Sequence, residues 1–284
     1  TYSNPNAGEN AAIWMVTSNY TRMNLGGLAP VQRAATQDLG RPWTRMAPTI
    51  NVFVETFAEK NLDSRYDGTF TTSYRANWNL AGNSTPSVAG ANGLPITPGD
   101  AVLTYLDDYN PAVVYGNGAG VGGGVLPGRA DYVINLNEIN RTNYPGLWKM
   151  GTYRTDNAGG LGQPKAASTR PYPIAKFSEF YFVAAEAAVK GAVPTGGKSA
   201  RELINVIRAR AGKWRFDNGE QQIRMEDNSV AMTLATPAVI DIDYILAERS
   251  REYFGEGYRW LDLVRTQKWR ELASSYRIAG TQDT

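Results

Sequence analysis

The chain of 284 residues is long enough for one large domain or two modest ones, each with a buried core. Its 29 basic and 27 acidic residues are dispersed and leave a formal net charge of +2, which argues against nucleic-acid binding through clustered Lys and Arg. Zero Cys and zero His exclude disulfides, Cys/His zinc sites and every thiol or imidazole mechanism; no cofactor is expected, and only calcium or magnesium on oxygen ligands would be possible, with no motif for either.

The longest apolar runs, residues 11–16 and 180–185, are far short of a membrane span. The chain begins at Thr1 without a Met, charged leader or signal segment, and reads as a fragment of a longer protein. Up to residue 168 it is rich in Gly, Asn, Thr and Pro. Short apolar runs at 13–16, 70–74 and 113–115 predict isolated strands between long loops, the longest at 79–99 and 116–128. One helix is expected over 48–60, with Pro48 at its first position and Val52, Phe53, Thr56 and Phe57 on one face.

From residue 169 onward, apolar residues recur at helical spacing and predict four helices. The first, 173–190, carries Ile174, Phe177, Tyr181, Ala184, Ala185 and Ala188 on one stripe and stops at Gly191. Phe180, Val183 and Ala187 form a second face, so cover is expected from two sides. The second helix opens with a capping box, Ser199 to Glu202, gathers Leu203, Ile204, Ile207 and Ala211, and ends at Gly212. A third, 241–254, and a fourth, 258–272, flank Gly255 and Gly257. The expected organisation is a loop- and strand-rich, ligand-side region at 1–168 and two antiparallel helix pairs at 169–284.

Two glycine patterns fail their context tests. Gly118 to Gly123 matches a dinucleotide fingerprint letter for letter, but Leu126-Pro127-Gly128 follows where a helix should begin, so a tight turn is expected. Gly191 to Ser199 approximates a phosphate loop with five residues between its glycines instead of four, and a helix precedes it instead of a strand. The carboxylates that a glycosidase would need are Asp107 with Asp108, or Glu252 with Glu256; surface charge explains them as well. Glu248, Arg249, Arg251, Glu252, Glu256, Arg259, Asp262 and Arg265 interleave acids with arginines. Their spacing predicts the pairs Glu248–Arg251, Arg259–Asp262 and Asp262–Arg265 in a structural ionic network.

Trp14 and Trp260 lie among apolar neighbours and are expected in the core. Trp78 sits between Asn77 and Asn79 at the mouth of a long loop, and Trp43 and Trp148 also fall in loops. Such rings either pin a loop to the core or stack on the apolar face of a sugar while neighbouring amides bind its hydroxyls. Trp78, Trp43, Trp148, Asn77 and Asn79 are therefore the candidate ligand-binding residues, and no catalytic residue is assigned.

The segments Arg170 to Ala188, Ala200 to Gly212, Ile245-Leu-Ala-Glu-Arg-Ser-Arg-Glu252 and Glu256-Gly-Tyr-Arg-Trp-Leu-Asp-Leu-Val-Arg265 closely resemble, in order and spacing, the SusD/RagB family of outer-membrane nutrient-binding lipoproteins of Bacteroidetes. Pro48 to Phe57, Asp63-Ser-Arg65, Gly68-Thr-Phe70 and Gly99 to Leu103 resemble the family's middle region. Tyr258 stands where the family often has His. The resemblance implies a predominantly α fold with tetratricopeptide-like helix pairs, long irregular loops and a few short strands. It also implies that an N-terminal half, a lipidated Cys and a C-terminal tail lie outside this chain. The implied role is non-catalytic capture of an oligosaccharide or polysaccharide at the cell surface and its delivery to a SusC-like TonB-dependent transporter, with membrane attachment only through the lipid anchor. Peptide capture in the manner of RagB, a glycoside hydrolase and a protein-binding helical scaffold are the alternatives. The family's ligand contacts vary, so none is carried onto a numbered residue.

Overall fold

The computed structural model describes residues 17–39, 42, 44, 46–116, 118–151, 173–193, 196–217, 222–279 and 282–283. The strand expected at 13–16, with Trp14, lies outside them. The chain forms two units: Thr1–Phe53, Phe70–Arg170 and Tyr276–Thr284 in the first, Val54–Thr69 and Pro171–Ser275 in the second.

In the first unit, the apolar run at 70–74 divides into two strands. β1 (Phe70–Thr71) and β2 (Ser73–Arg75) pair with different partners. β3 (Val88–Ala89) and β4 (Pro95–Ile96) form a hairpin inside the expected loop at 79–99. β5 (Ala101–Tyr105), β6 (Val114–Tyr115), β7 (Gly124–Val125) and β8 (Tyr132–Ile134) join β2 in a sheet of order β2-β5-β8-β7-β6, in which only β5 and β8 run parallel. β9 (Gly146–Leu147) pairs with β1. Aromatic rings fill this unit's core. Tyr74 stacks on Tyr20 at 5.0 Å and meets Tyr105 edge-on at 6.4 Å, while its hydroxyl lies 2.9 Å from that of Ser18. Burial pushes the Tyr74 and Tyr105 phenols well above their ordinary values, so both stay neutral.

The glycine run 118–123 is a tight turn. A Cβ on Gly118 would fall 2.0 Å from the carbonyl oxygen of Gly123, and Gly120 and Gly122 have φ of +83° and +74°. The next element is β7, a strand.

The expected helix at 48–60 is a short π-helical turn, Val52–Thr56, followed by turns. The second unit contains α1 (Ser64–Asp67), capped by the Asp63 carboxylate, α2 (Ser178–Val189), α3 (Ala200–Ala211) with the predicted capping box, a hairpin of β10 (Arg215–Asp217) and β11 (Gln222–Arg224), α4 (Ser229–Leu234), α5 (Ile242–Glu252), α6 (Tyr258–Arg265) and α7 (Trp269–Leu272). Phe182, Ala185, Leu203, Ile204, Ile207, Ile240, Ile245 and Tyr253 form its core, which joins α2 and α3 to α5. The helical reading thus suits this unit, whereas the first carries the sheet.

Two arginine-carboxylate networks hold the helices together. Glu248, fully buried, meets Arg65 at 2.7 Å, Arg251 at 2.6 Å and Arg208 at 3.1 Å, and Arg208 continues to Glu59 at 2.7 Å. Burial alone would raise the Glu248 carboxyl; the three arginines outweigh it and hold the group far below the usual carboxylate range. In the second network Arg249 reaches Asp262 at 2.7 Å and Glu179 at 2.8 Å, and lies over the rings of Phe182 and Tyr253. The expected pairs Glu248–Arg251 and Asp262–Arg265 are present; Arg259 instead donates to the carbonyl of Leu246 at 3.2 Å.

Two expectations about the core are corrected. Trp260 is 66% exposed, because Asp262 and Leu263 take the inward face of α6 and turn Trp260, Leu261 and Val264 outward. Among the described residues, the second face of α2 is likewise open, with Phe180 at 68% and Val183 at 58% exposure, and the helix begins at Ser178, leaving Ile174 and Phe177 exposed before it.

Candidate functional site

Asn77 and Trp78 are structural. A single 3-10 turn, Trp78–Ala81, sends successive side chains in different directions, so Trp78 points inward while Asn79 and Leu80 face solvent. The Trp78 ring is fully buried, and its Nε1–H donates to the Thr85 carbonyl at 2.8 Å. It pins the loop to the core, which corrects the expectation of an outward sugar platform. The Asn77 side chain accepts from the Gln32 N–H at 2.5 Å and donates to the Gln32 carbonyl at 3.1 Å, serving as a substitute strand edge. Trp148 is half-buried and its carbonyl accepts from Gln37 Nε2 at 3.2 Å. Trp43 lies outside the described residues. The four described candidates therefore do not converge on one exposed surface.

Among the described residues of the first unit, one solvent-facing pair of aromatic rings is positioned by the parallel pairing of β5 and β8. Parallel strands release their chains at the same end, and Leu106 N–H bonds the Ile134 carbonyl at 2.9 Å just past both. Asn135, 2% exposed, then accepts from Asn110 N–H at 2.8 Å and donates its amide to the Asn110 carbonyl at 3.0 Å. Asn110 Oδ1 takes the Ala112 N–H at 2.9 Å, a turn that sends the chain into β6. On β6 the Tyr115 hydroxyl oxygen accepts the Asn135 N–H at 2.8 Å. Gly124 on β7 supplies the seat: a Cβ there would fall 3.2 Å from two carbons of the Tyr115 ring.

Tyr115 is thereby fixed at both ends yet 37% exposed, and Tyr109, just before Asn110, is 63% exposed. Burial raises the Tyr115 phenol; the bond from Asn135 opposes the rise, while nearby Glu138 and Tyr109 add to it. The phenol therefore stays neutral at physiological pH. Glu138, exposed to solvent, lies close enough to act on Tyr115 and completes the cluster. In the second unit, besides Phe177 and Phe180, the rings of Trp260 and Trp269 are exposed and lie 4.1 Å apart, accompanied by exposed Leu261, Val264 and Leu272. That face is apolar, whereas Tyr109 and Tyr115 stand among amides and a carboxylate.

Of the carboxylates considered for hydrolysis, Glu252 and Glu256 are engaged by basic side chains. Glu252 pairs with Arg210 at 2.5 Å, and Glu256 with Lys176 at 2.5 Å. Asp107 is half-buried and Asp108 exposed. Among the described residues no group of three acidic side chains is placed to hold a metal ion, and no helix is long and apolar enough to cross a membrane. No curated protein matches the chain. The model of the SusD family matches residues 40–283, which span both units and both ion networks, so the chain belongs to the SusD family.

Proposed function

We propose that this chain captures an oligosaccharide or polysaccharide at the bacterial outer surface without cleaving it, and passes it to a SusC-like TonB-dependent transporter. Family membership supports a nutrient-binding role, and the match over residues 40–283 is the observation that carries the reading. Solvent-facing tyrosines among amides support a sugar as the nutrient, because ring faces take its C–H surface while amides bind hydroxyls. The absence of His and Cys and the pairing of Glu252 and Glu256 with basic side chains support binding without catalysis. Anchoring by a lipid attached outside this chain follows from the same family reading.

Native electrophoresis in gels containing starch, xylan, galactomannan or polygalacturonate tests the proposal. Retardation by at least one polysaccharide is expected, and prolonged incubation should release no shorter products. Binding to a peptide digest with no retardation in any polysaccharide gel would replace the glycan by a peptide; product release abolished by Asp107→Asn or Asp108→Asn would make the protein a hydrolase.

A further inference from the structure

We infer that Tyr109 and Tyr115, at the β6 end of the five-stranded sheet, form the stacking surface for a neutral pyranose chain, with Glu138 nearby to take its hydroxyls. This rests on the glycan-capture reading and names its site. Three observations carry it. The rings are exposed at 63% and 37%, which ordinary packing does not require. Tyr115 is nevertheless held by its surroundings, seated over Gly124 and tied through its hydroxyl to the Asn135 N–H, which reduces the ordering to be lost when a ligand arrives. The paired amide bonds between Asn110 and Asn135 hold the backbone beside Tyr109 to the same point, making one rigid frame from residues far apart in sequence.

The chemistry of the frame selects the ligand. A carboxylate beside the rings accepts hydroxyl protons and repels uronates and sulfated sugars, which favours neutral glycans. A peptide added as a strand would need a run of unpaired main-chain groups, and β6 offers two residues, Val114–Tyr115, at that edge.

The test compares wild type with Tyr109→Ala, Tyr115→Ala and Trp260→Ala in gels containing starch, xylan, galactomannan or polygalacturonate, with melting temperatures measured in parallel. Retardation by a neutral polysaccharide should weaken about ten-fold in Tyr109→Ala, whose exposed ring contributes little to folding. Tyr115→Ala should weaken binding at least as much, and Trp260→Ala should not change it. If a neutral glycan binds Tyr109→Ala and wild type equally, the site is overturned while glycan capture stands. If polygalacturonate binds more tightly than every neutral polymer, the ligand class is overturned. If no polysaccharide retards the wild type, both readings fall.

Discussion

At Trp78 the polarity of the neighbours and the direction of the side chain disagree. Asn77 and Asn79 surround an indole that is fully buried with its N–H satisfied. Trp78→Ala should therefore cost about 3–5 kcal/mol of stability, as for other buried aromatics. The outcome is read from denaturant unfolding, and it reverses the order expected of an exposed platform, where affinity would drop and stability would not. Asn77 behaves alike: its amide replaces a missing strand partner for Gln32, so Asn77→Ala should strand two main-chain groups and destabilise by about 1–3 kcal/mol. A melting point unchanged in Asn77→Ala would show that water replaces those bonds. The polarity of a residue's sequence neighbours does not report its own orientation in a 3-10 turn, where successive side chains are about 120° apart.

Among the helices, capping and periodicity carried most of the information. The Ser199–Glu202 capping box and the Leu203, Ile204, Ile207 stripe are found as read, because they depend on neighbours within one turn. The rotation of α6 was not legible, since it depends on Arg249 of another helix drawing Asp262 inward. Nor was the tyrosine frame, which requires β5 and β8 to lie parallel before Asn110 can meet Asn135; the Asn110-Pro111 turn signal beside Tyr109 was its only local trace. Glu248→Gln should destabilise by about 3–5 kcal/mol, because Arg251 would lose its carboxylate partner while Arg65 and Arg208 would keep only Asp63, Glu252 and Glu59 against their largely buried charges. The pH dependence has a definite sign. Since the folded-state value of Glu248 is depressed, its stabilisation is present above the ordinary carboxylate range, about pH 4, and is lost as pH falls below it. Asp38 and Asp67, raised by burial, act in the opposite sense. Thermal melting of wild type and Glu248→Gln should thus differ most near neutrality and converge in acid; a constant difference from pH 7 to pH 2 would remove Glu248 from the account.

At the scale of the whole chain, the second unit is assembled from two stretches, Val54–Thr69 and Pro171–Ser275, and the shorter one supplies Glu59, Asp63, Arg65 and Asp67 to its ion pairs. Residues 171–275 expressed alone should therefore melt without cooperativity, and adding a peptide of residues 54–69 should restore a transition. Cooperative melting of the longer piece by itself would show that the ion pairs are accessory. The same arrangement bears on how the protein is made. Arg65 leaves the ribosome about 180 residues before Glu248, a delay of roughly 10–40 s at ordinary synthesis rates. During that interval the early stretch has no partner to fold against, and its closure is a long-range event of the slow kind. Its composition suits the delay: Glu55, Glu59, Lys60, Asp63, Arg65 and Asp67 favour hydration of a stretch with few apolar residues, so Glu59, Asp63, Arg65 and Asp67, which later lock the helices, are also groups that favour water until their partners arrive.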